Sequence, residues 1–128
     1  MANRWTDKQL KAITTSGCNV LVSAAAGSGK TAVLVQRIIE KITAPDGPDV
    51  DRLVVVTFTK AAAAEMKQRI REALDKLLVE QPENDRLLRQ ITLVHNAPIT
   101  TIDSFCLNIV RNYFTDIDIG RAERDARG

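Results

Sequence analysis

Apolar residues in this chain fall into two kinds of run, short unbroken ones and longer ones spaced three and four apart. Asn19 to Ser23, Leu53-Val54-Val55-Val56-Thr57 and Ile99-Thr100-Thr101-Ile102 are of the first kind. Each predicts a strand, and the unbroken run 53–57 predicts one buried on both faces of a parallel sheet. The longer runs predict helices. Thr6 with Gln9 three residues on, and Leu10 and Ile13 on one face, predicts a capped helix over 6–15 that Gly17 ends. Val33, Leu34, Val35, Ile38, Ile39 and Ile42 form a wide apolar face on a helix opening at Gly29, with Arg37, Glu40 and Lys41 left to water.

Pro45, Gly47 and Pro48 mark a loop over 43–50. Thr59 caps a helix from Lys60 to about Glu80, stopped by Pro82, with Met66, Ile70, Leu74, Leu77 and Leu78 inward. Glu65/Arg69 and Glu72/Lys76 are i,i+4 pairs, and Lys67, Arg69 and Lys76 read as a solvated face. Asn84 caps a helix to about His95 with Leu87, Leu88, Ile91 and Val94 as its stripe. A lone histidine near a helix C-terminus suits a positive charge or a backbone hydrogen bond there. Asp103 or Ser104 caps the last helix, through Phe105, Ile109, Val110 and Tyr113. Strands alternating with helices make this an α/β chain with right-handed crossovers. Residues 115–128 lack apolar periodicity and read as a frayed tail.

Composition narrows the class without naming a partner. With 128 residues, 45% hydrophobic and 27% charged, the chain is one ordinary globular domain, and a net charge of +2 argues for no polyanion by itself. Cys18 and Cys106 lie far apart without metal-type spacing in apolar surroundings, so they read as reduced core thiols in a cytoplasmic setting. No apolar run approaches the roughly 18 residues of a membrane span, and no targeting segment is visible.

The chemistry concentrates between Val20 and Thr31, where an apolar run enters Ser-Ala-Ala-Ala-Gly-Ser-Gly-Lys-Thr and a helix follows. Strand, small-residue turn, Lys-Thr and helix in that order make a phosphate-binding loop, although Ala24 stands at the usual first glycine. The N–H groups of Ala26, Gly27, Ser28, Gly29, Lys30 and Thr31 would converge on a triphosphate at the positive end of a helix dipole. Lys30 would contact the β- and γ-phosphates, and the Thr31 hydroxyl would ligate Mg²⁺. The bland alternative is a turn that merely packs helix on strand. Gln9 also has two readings, capping-box partner of Thr6 or an amide facing the adenine edge.

The phosphate loop, Gln9, Val-Val-Thr-Phe-Thr-Lys-Ala-Ala-Ala-Ala-Glu-Met (55–66) and Thr-Thr-Ile-Asp-Ser-Phe-Cys (100–106) occur in one order. Together, over roughly residues 3–114, they resemble a UvrD-like superfamily 1 DNA helicase, within it the AddA/RexA-type helicase-nuclease subunits of double-strand-break repair. The resemblance implies a RecA-like P-loop NTPase, a three-layer parallel sheet present only as the N-terminal part of motor domain 1A (1–114). It makes Gln9 the adenine reader, and Gly27, Gly29, Lys30 and Thr31 the ATP and Mg²⁺ site. Thr57, Phe58 and Thr59 match motif Ia and Ser104 lies in motif Ib, both contacts to single-stranded DNA. From its own surroundings Phe58 reads equally as a core aromatic at a strand end. Asp103 stands where many relatives carry His, and Ala32 where several carry Arg.

Motif II, with its Asp-Glu pair, and the arginine finger have no counterpart after Phe114, so the chain reads as a piece of a motor that alone would not hydrolyse ATP. Implied partners are single-stranded or unwinding double-stranded DNA and a second subunit of AddB/RexB type. An unfinished sheet edge would favour self-association. Two rivals remain at this point, a small P-loop kinase using Asp103 as its metal carboxylate and a non-catalytic interaction module.

Overall fold

Capping chemistry sets the helix boundaries in the computed structural model, which describes residues 5–23 and 29–113. Helix α1 (Asp7–Thr14) begins after Thr6 in a full capping box. The Thr6 Oγ1 accepts from the Gln9 N–H at 3.1 Å, and the Thr6 N–H donates to Gln9 Oε1 at 2.9 Å. Helix α2 (Lys30–Thr43) starts at Gly29, whose φ of 86° lies in the left-handed region open to glycine. Helix α3 (Lys60–Glu80) is capped by Thr59, which accepts from the Ala62 N–H, and α4 (Asp85–Leu93) by Asn84, which accepts from Arg86 and Leu87. Val94–Asn96 continues α4 as a 3-10 turn. Helix α5 (Ile102–Tyr113) is capped by Thr101, not by Asp103 or Ser104 as expected, since Thr101 Oγ1 accepts from the Ser104 N–H at 3.1 Å.

Among the described residues the sheet has two parallel strands, β1 (Val55–Thr57) and β2 (Ile99–Thr101), paired Val55 with Ile99 and Thr57 with Thr101. The architecture is therefore a mixed helix and strand domain with a small parallel sheet. The expected strand over 19–23 is not formed. A strand buried in a parallel sheet needs a hydrogen-bonding neighbour, and β1 and β2 take each other, leaving Leu21 95% exposed. Nor is β1 buried on both faces: Leu53 and Val55 pack on the core, while Val54 and Val56 face outward and are exposed.

One core lies between α2, α3, α4 and the inner face of the sheet. Val35, Ile38, Ile39 and Ile42 of α2 meet Met66, Ile70 and Leu74 of α3, with Leu87, Val94 and Val50 closing the end. Ile42, Ile70 and Leu74 are fully buried, each worth roughly 1.5–3 kcal/mol of transfer free energy. Leu34 and Leu88 belonged to the expected apolar stripes but are exposed, because the faces they occupy have no packed neighbour. A second, smaller cluster of Ala12, Ile13 and Val33, with Trp5 against it, fastens α1 to α2.

Polar side chains tie the helix ends. Arg37, expected in water, is half-buried and donates from Nη1 to the carbonyls of Ala12 and Thr15 at 2.8 and 2.6 Å, at the C-terminal end of α1. A cation there meets the negative end of the dipole and satisfies carbonyls that the helix leaves unpaired. Arg86 does the same for α2, donating from Nε to the Ile42 carbonyl and from Nη2 to those of Gly47 and Pro48. Gly47 is required there, since a β-carbon would collide with the Lys41 carbonyl. Gln90 is completely buried. Its Oε1 accepts from the Val50 N–H at 2.7 Å and its Nε2 donates to Asp49 Oδ1 at 2.8 Å.

Three surface expectations also change. The Glu65/Arg69 pair forms at 2.9 Å, but Glu72 accepts from Gln68 Nε2 and no ion pair links it to Lys76 among the described residues. Lys67, rather than being solvated alone, donates to the His95 carbonyl at 2.8 Å, and Arg71 lies 3.1 Å from His95 Nε2. Cys18 and Cys106 are free thiols as expected but exposed instead of buried. Their neighbours 19–23 and α5 bury little, and α5 has no buried residue. The tail over 115–128 lies outside the described residues. No described helix is long and apolar enough to cross a membrane.

Candidate nucleotide and nucleic-acid site

Two groups of residues singled out by the sequence are each brought together. In the first, Gly29, Lys30 and Thr31 form the opening of α2, all exposed. No side chain caps this end, and no acidic residue stands in its first turn. The leading N–H groups of α2 therefore meet the positive dipole end and Lys30 without a resident anion from the protein, an arrangement that suits a phosphate. Gln9 reaches this point from α1: its Nε2 lies 3.6 Å from where a β-carbon on Gly29 would stand. Both sequence readings of Gln9 thus share one side chain. Its Oε1 serves the capping box while its Nε2 adjoins the loop. Ala26, Gly27 and Ser28 lie outside the described residues.

In the second group, the parallel register aligns Thr57 with Thr101, so the segments that follow each strand emerge at the same carboxyl edge of the sheet. Open α/β sheets bind ligands at that edge. Phe58 is 91% exposed, which removes the core-aromatic reading. Thr57 Oγ1 donates to the Thr59 carbonyl at 3.0 Å and bends the chain around Phe58, and Thr59 then caps α3. Across the edge, the Ser104 hydroxyl accepts from Thr101 Oγ1 at 2.9 Å in the first turn of α5, beside exposed Asp103. Two helix N-termini and an exposed aromatic ring share this edge. Among the described residues no three His, Cys, Asp or Glu side chains gather, so Asp103 stands outside any carboxylate cluster.

A groove of ≈ 650 Å³ runs elsewhere, between α2 and α3, floored by Val35, Ile39, Ala73 and Leu77 with Trp5 at one end. It touches neither group. Sequence reading did not anticipate Arg37 and Gln90, which hold the elements that carry the site. Their signal is weak, since a single polar residue within an apolar stripe does not reveal which carbonyl or N–H it will meet.

Fold and site together define a mixed helix and strand domain with a small parallel sheet, an uncapped helix start suited to phosphate and an exposed aromatic at the sheet edge. The UvrD/REP helicase N-terminal domain matches residues 5–126, and the chain belongs to that family. Its relatives include the larger, A-type chain of ATP-dependent helicase/nucleases. The one from Lachnoclostridium phytofermentans is 57% identical over 123 residues, covering 95% of this chain and 9% of that protein. Its counterpart in a Thermoanaerobacter species is 59% identical over 120 residues, covering 93% and 10%. That of Geobacillus thermodenitrificans is 55% identical over 125 residues, covering 97% and 10%. This chain spans about a tenth of the length of these relatives. The superfamily 1 helicase reading is thereby favoured over the small kinase and the interaction module.

Proposed function

We propose that this chain is the nucleotide-binding and first DNA-contacting portion of a RecA-like helicase motor, whose whole would couple ATP·Mg²⁺ hydrolysis to DNA translocation and unwinding. The observation that carries it is the start of α2, where the left-handed Gly29, Lys30 and an uncapped helix end adjoin the Gln9 amide. The loop amides of 26–31 would hold the phosphates. Lys30 would neutralise β- and γ-oxygens, and the Thr31 hydroxyl would be the protein ligand of Mg²⁺, which when bound offsets charge as the phosphoryl group departs. Gln9 would face adenine. At the sheet edge Phe58 would stack a base, while Thr57, Thr59 and Ser104 and the starts of α3 and α5 hold the backbone.

Setting and partners follow from the same reading: a bacterial cytoplasmic enzyme of DNA repair, acting with a second subunit of AddB/RexB type. The chain alone supplies the loop's share of catalysis. An arginine finger is typically worth about 10³–10⁵ in rate, and no second motor domain is here to deliver one. The chain therefore binds nucleotide without turning it over at a helicase-like rate. Calorimetric titration with ATP and Mg²⁺, wild type against Lys30→Ala, tests this. Weak binding lost in the variant is expected, and equal affinity in both would overturn the assignment.

A further inference from the structure

We propose that Thr6 is a specificity-determining positioning residue of the nucleotide site, whose backbone N–H locks the Gln9 amide in the orientation that accepts adenine and rejects guanine. This rests on the reading that Gln9 faces the base.

A glutamine amide presents an acceptor on one arm and a donor on the other, and a half-turn exchanges them. At the purine edge adenine offers the N6 amino donor beside the N7 acceptor, whereas guanine offers two acceptors, O6 and N7. A Gln in one orientation can pair both positions of adenine. To serve guanine it must turn a donor towards O6. The amide's orientation is therefore the discriminating variable.

Here a fixed partner decides it. The Thr6 N–H donates to Gln9 Oε1 at 2.9 Å, and a backbone N–H has no alternative role. Rotating the amide would set Nε2 against that N–H, donor to donor, and leave the N–H unpaired. A carbonyl oxygen carries two lone pairs, so Oε1 can serve the Thr6 N–H and an exocyclic amino group together, while Nε2 stays on the arm beside Gly29. The frame is rigid. The Gln9 N–H is held by Thr6 Oγ1, Arg37 clamps the C-terminal end of α1, and Ala12 and Ile13 pack on Val33 of α2.

Two substitutions separate the N–H from the rest of the cap. Thr6 has φ −67° and ψ 162°, which a proline ring accommodates. Thr6→Pro deletes both the hydroxyl and the N–H, whereas Thr6→Ala deletes the hydroxyl alone. The 128-residue chain is titrated with ATP and with GTP, each with Mg²⁺, and the ratio of affinities is read. Wild type should prefer ATP by roughly tenfold or more, the discrimination typical of a good bidentate pair. Thr6→Ala should weaken both nucleotides together and keep the ratio, and Thr6→Pro should bring the ratio towards one. A ratio unchanged in Thr6→Pro, with both affinities lowered equally, would assign Thr6 a merely structural role and overturn the proposal. Gln9→Ala tests the underlying reading separately. If it keeps the wild-type ratio, Gln9 does not face the base and the proposal falls with that reading.

Discussion

The buried Gln90 amide bridges Asp49 and the Val50 N–H, at 2.8 and 2.7 Å, and so fastens the loop after α2 to α4. Gln90→Leu keeps the volume roughly but leaves the Val50 N–H buried without a partner, since Val50 is itself only 2% exposed. The expected loss is about 1–3 kcal/mol, the cost of one orphaned buried group, read as a lower urea midpoint. Restoration by a second substitution that removes no further bond is not expected, because the N–H belongs to the backbone.

Acid should loosen the same joint. The Arg89 guanidinium bonded to Asp49, and then the Gln90 amide, hold the Asp49 carboxyl below its ordinary 3.8. A depressed folded-state value contributes stability that is fully present above the unfolded value and is lost as pH falls through the folded one. The fall in stability below about pH 4 should therefore be shallower in Asp49→Asn than in wild type, with the variant less stable at neutral pH. Parallel acid limbs in urea titrations at several pH values would contradict this.

Arg37→Ala should loosen α1 selectively. It removes the donor to the Ala12 and Thr15 carbonyls, charged bonds worth about 1–3 kcal/mol together with the dipole contact. Amide exchange should accelerate in Asp7–Thr14 and not in α3, whose core contacts with Ile70 and Leu74 are untouched. Uniform acceleration throughout the chain would mean that α1 is part of the global cooperative unit.

Phe58→Ala separates binding from stability. The ring is 91% exposed and its removal opens no cavity, so the stability read from urea titration should stay within about 0.5 kcal/mol of wild type. Affinity for a short single-stranded oligonucleotide should fall by about 1–3 kcal/mol, the usual worth of one base stacked on an aromatic side chain. Binding should also weaken with added salt. An unchanged affinity would remove Phe58 from the DNA-contacting edge.

Self-association should track the outer face of the sheet. Leu21, Val54 and Val56 are exposed large apolar residues beside a two-stranded sheet whose outer edges are unpaired among the described residues. Sedimentation of wild type should show mass rising with concentration, and Val54→Lys with Val56→Lys should suppress the rise without a loss of helical signal. A concentration-independent monomer in wild type would refute the expectation.

Helix starts were legible because their determinants are local. Thr6, Thr59 and Asn84 each bond to N–H groups two or three residues away, and their roles hold in the folded chain. The last helix shows the limit of this: Thr101, Asp103 and Ser104 are all competent caps, and the end of β2 selects Thr101. The order of the phosphate-loop and sheet-edge segments likewise places the family, since those residue types recur at fixed separations.

Partnership across the chain was decided only by the tertiary structure. Val20 to Val22 and Val54 to Val56 have the same β-branched character, yet only the second joins a ladder, because pairing depends on which strand lies alongside. Arg37 and Gln90 gave no local signal of their carbonyl and amide partners, which lie 22 to 41 positions away. Gln9 joins the two levels. Its place in the capping box follows from four consecutive residues, while its approach to Gly29 required α1 to be packed and clamped against α2, a consequence of burial that no local spacing encodes.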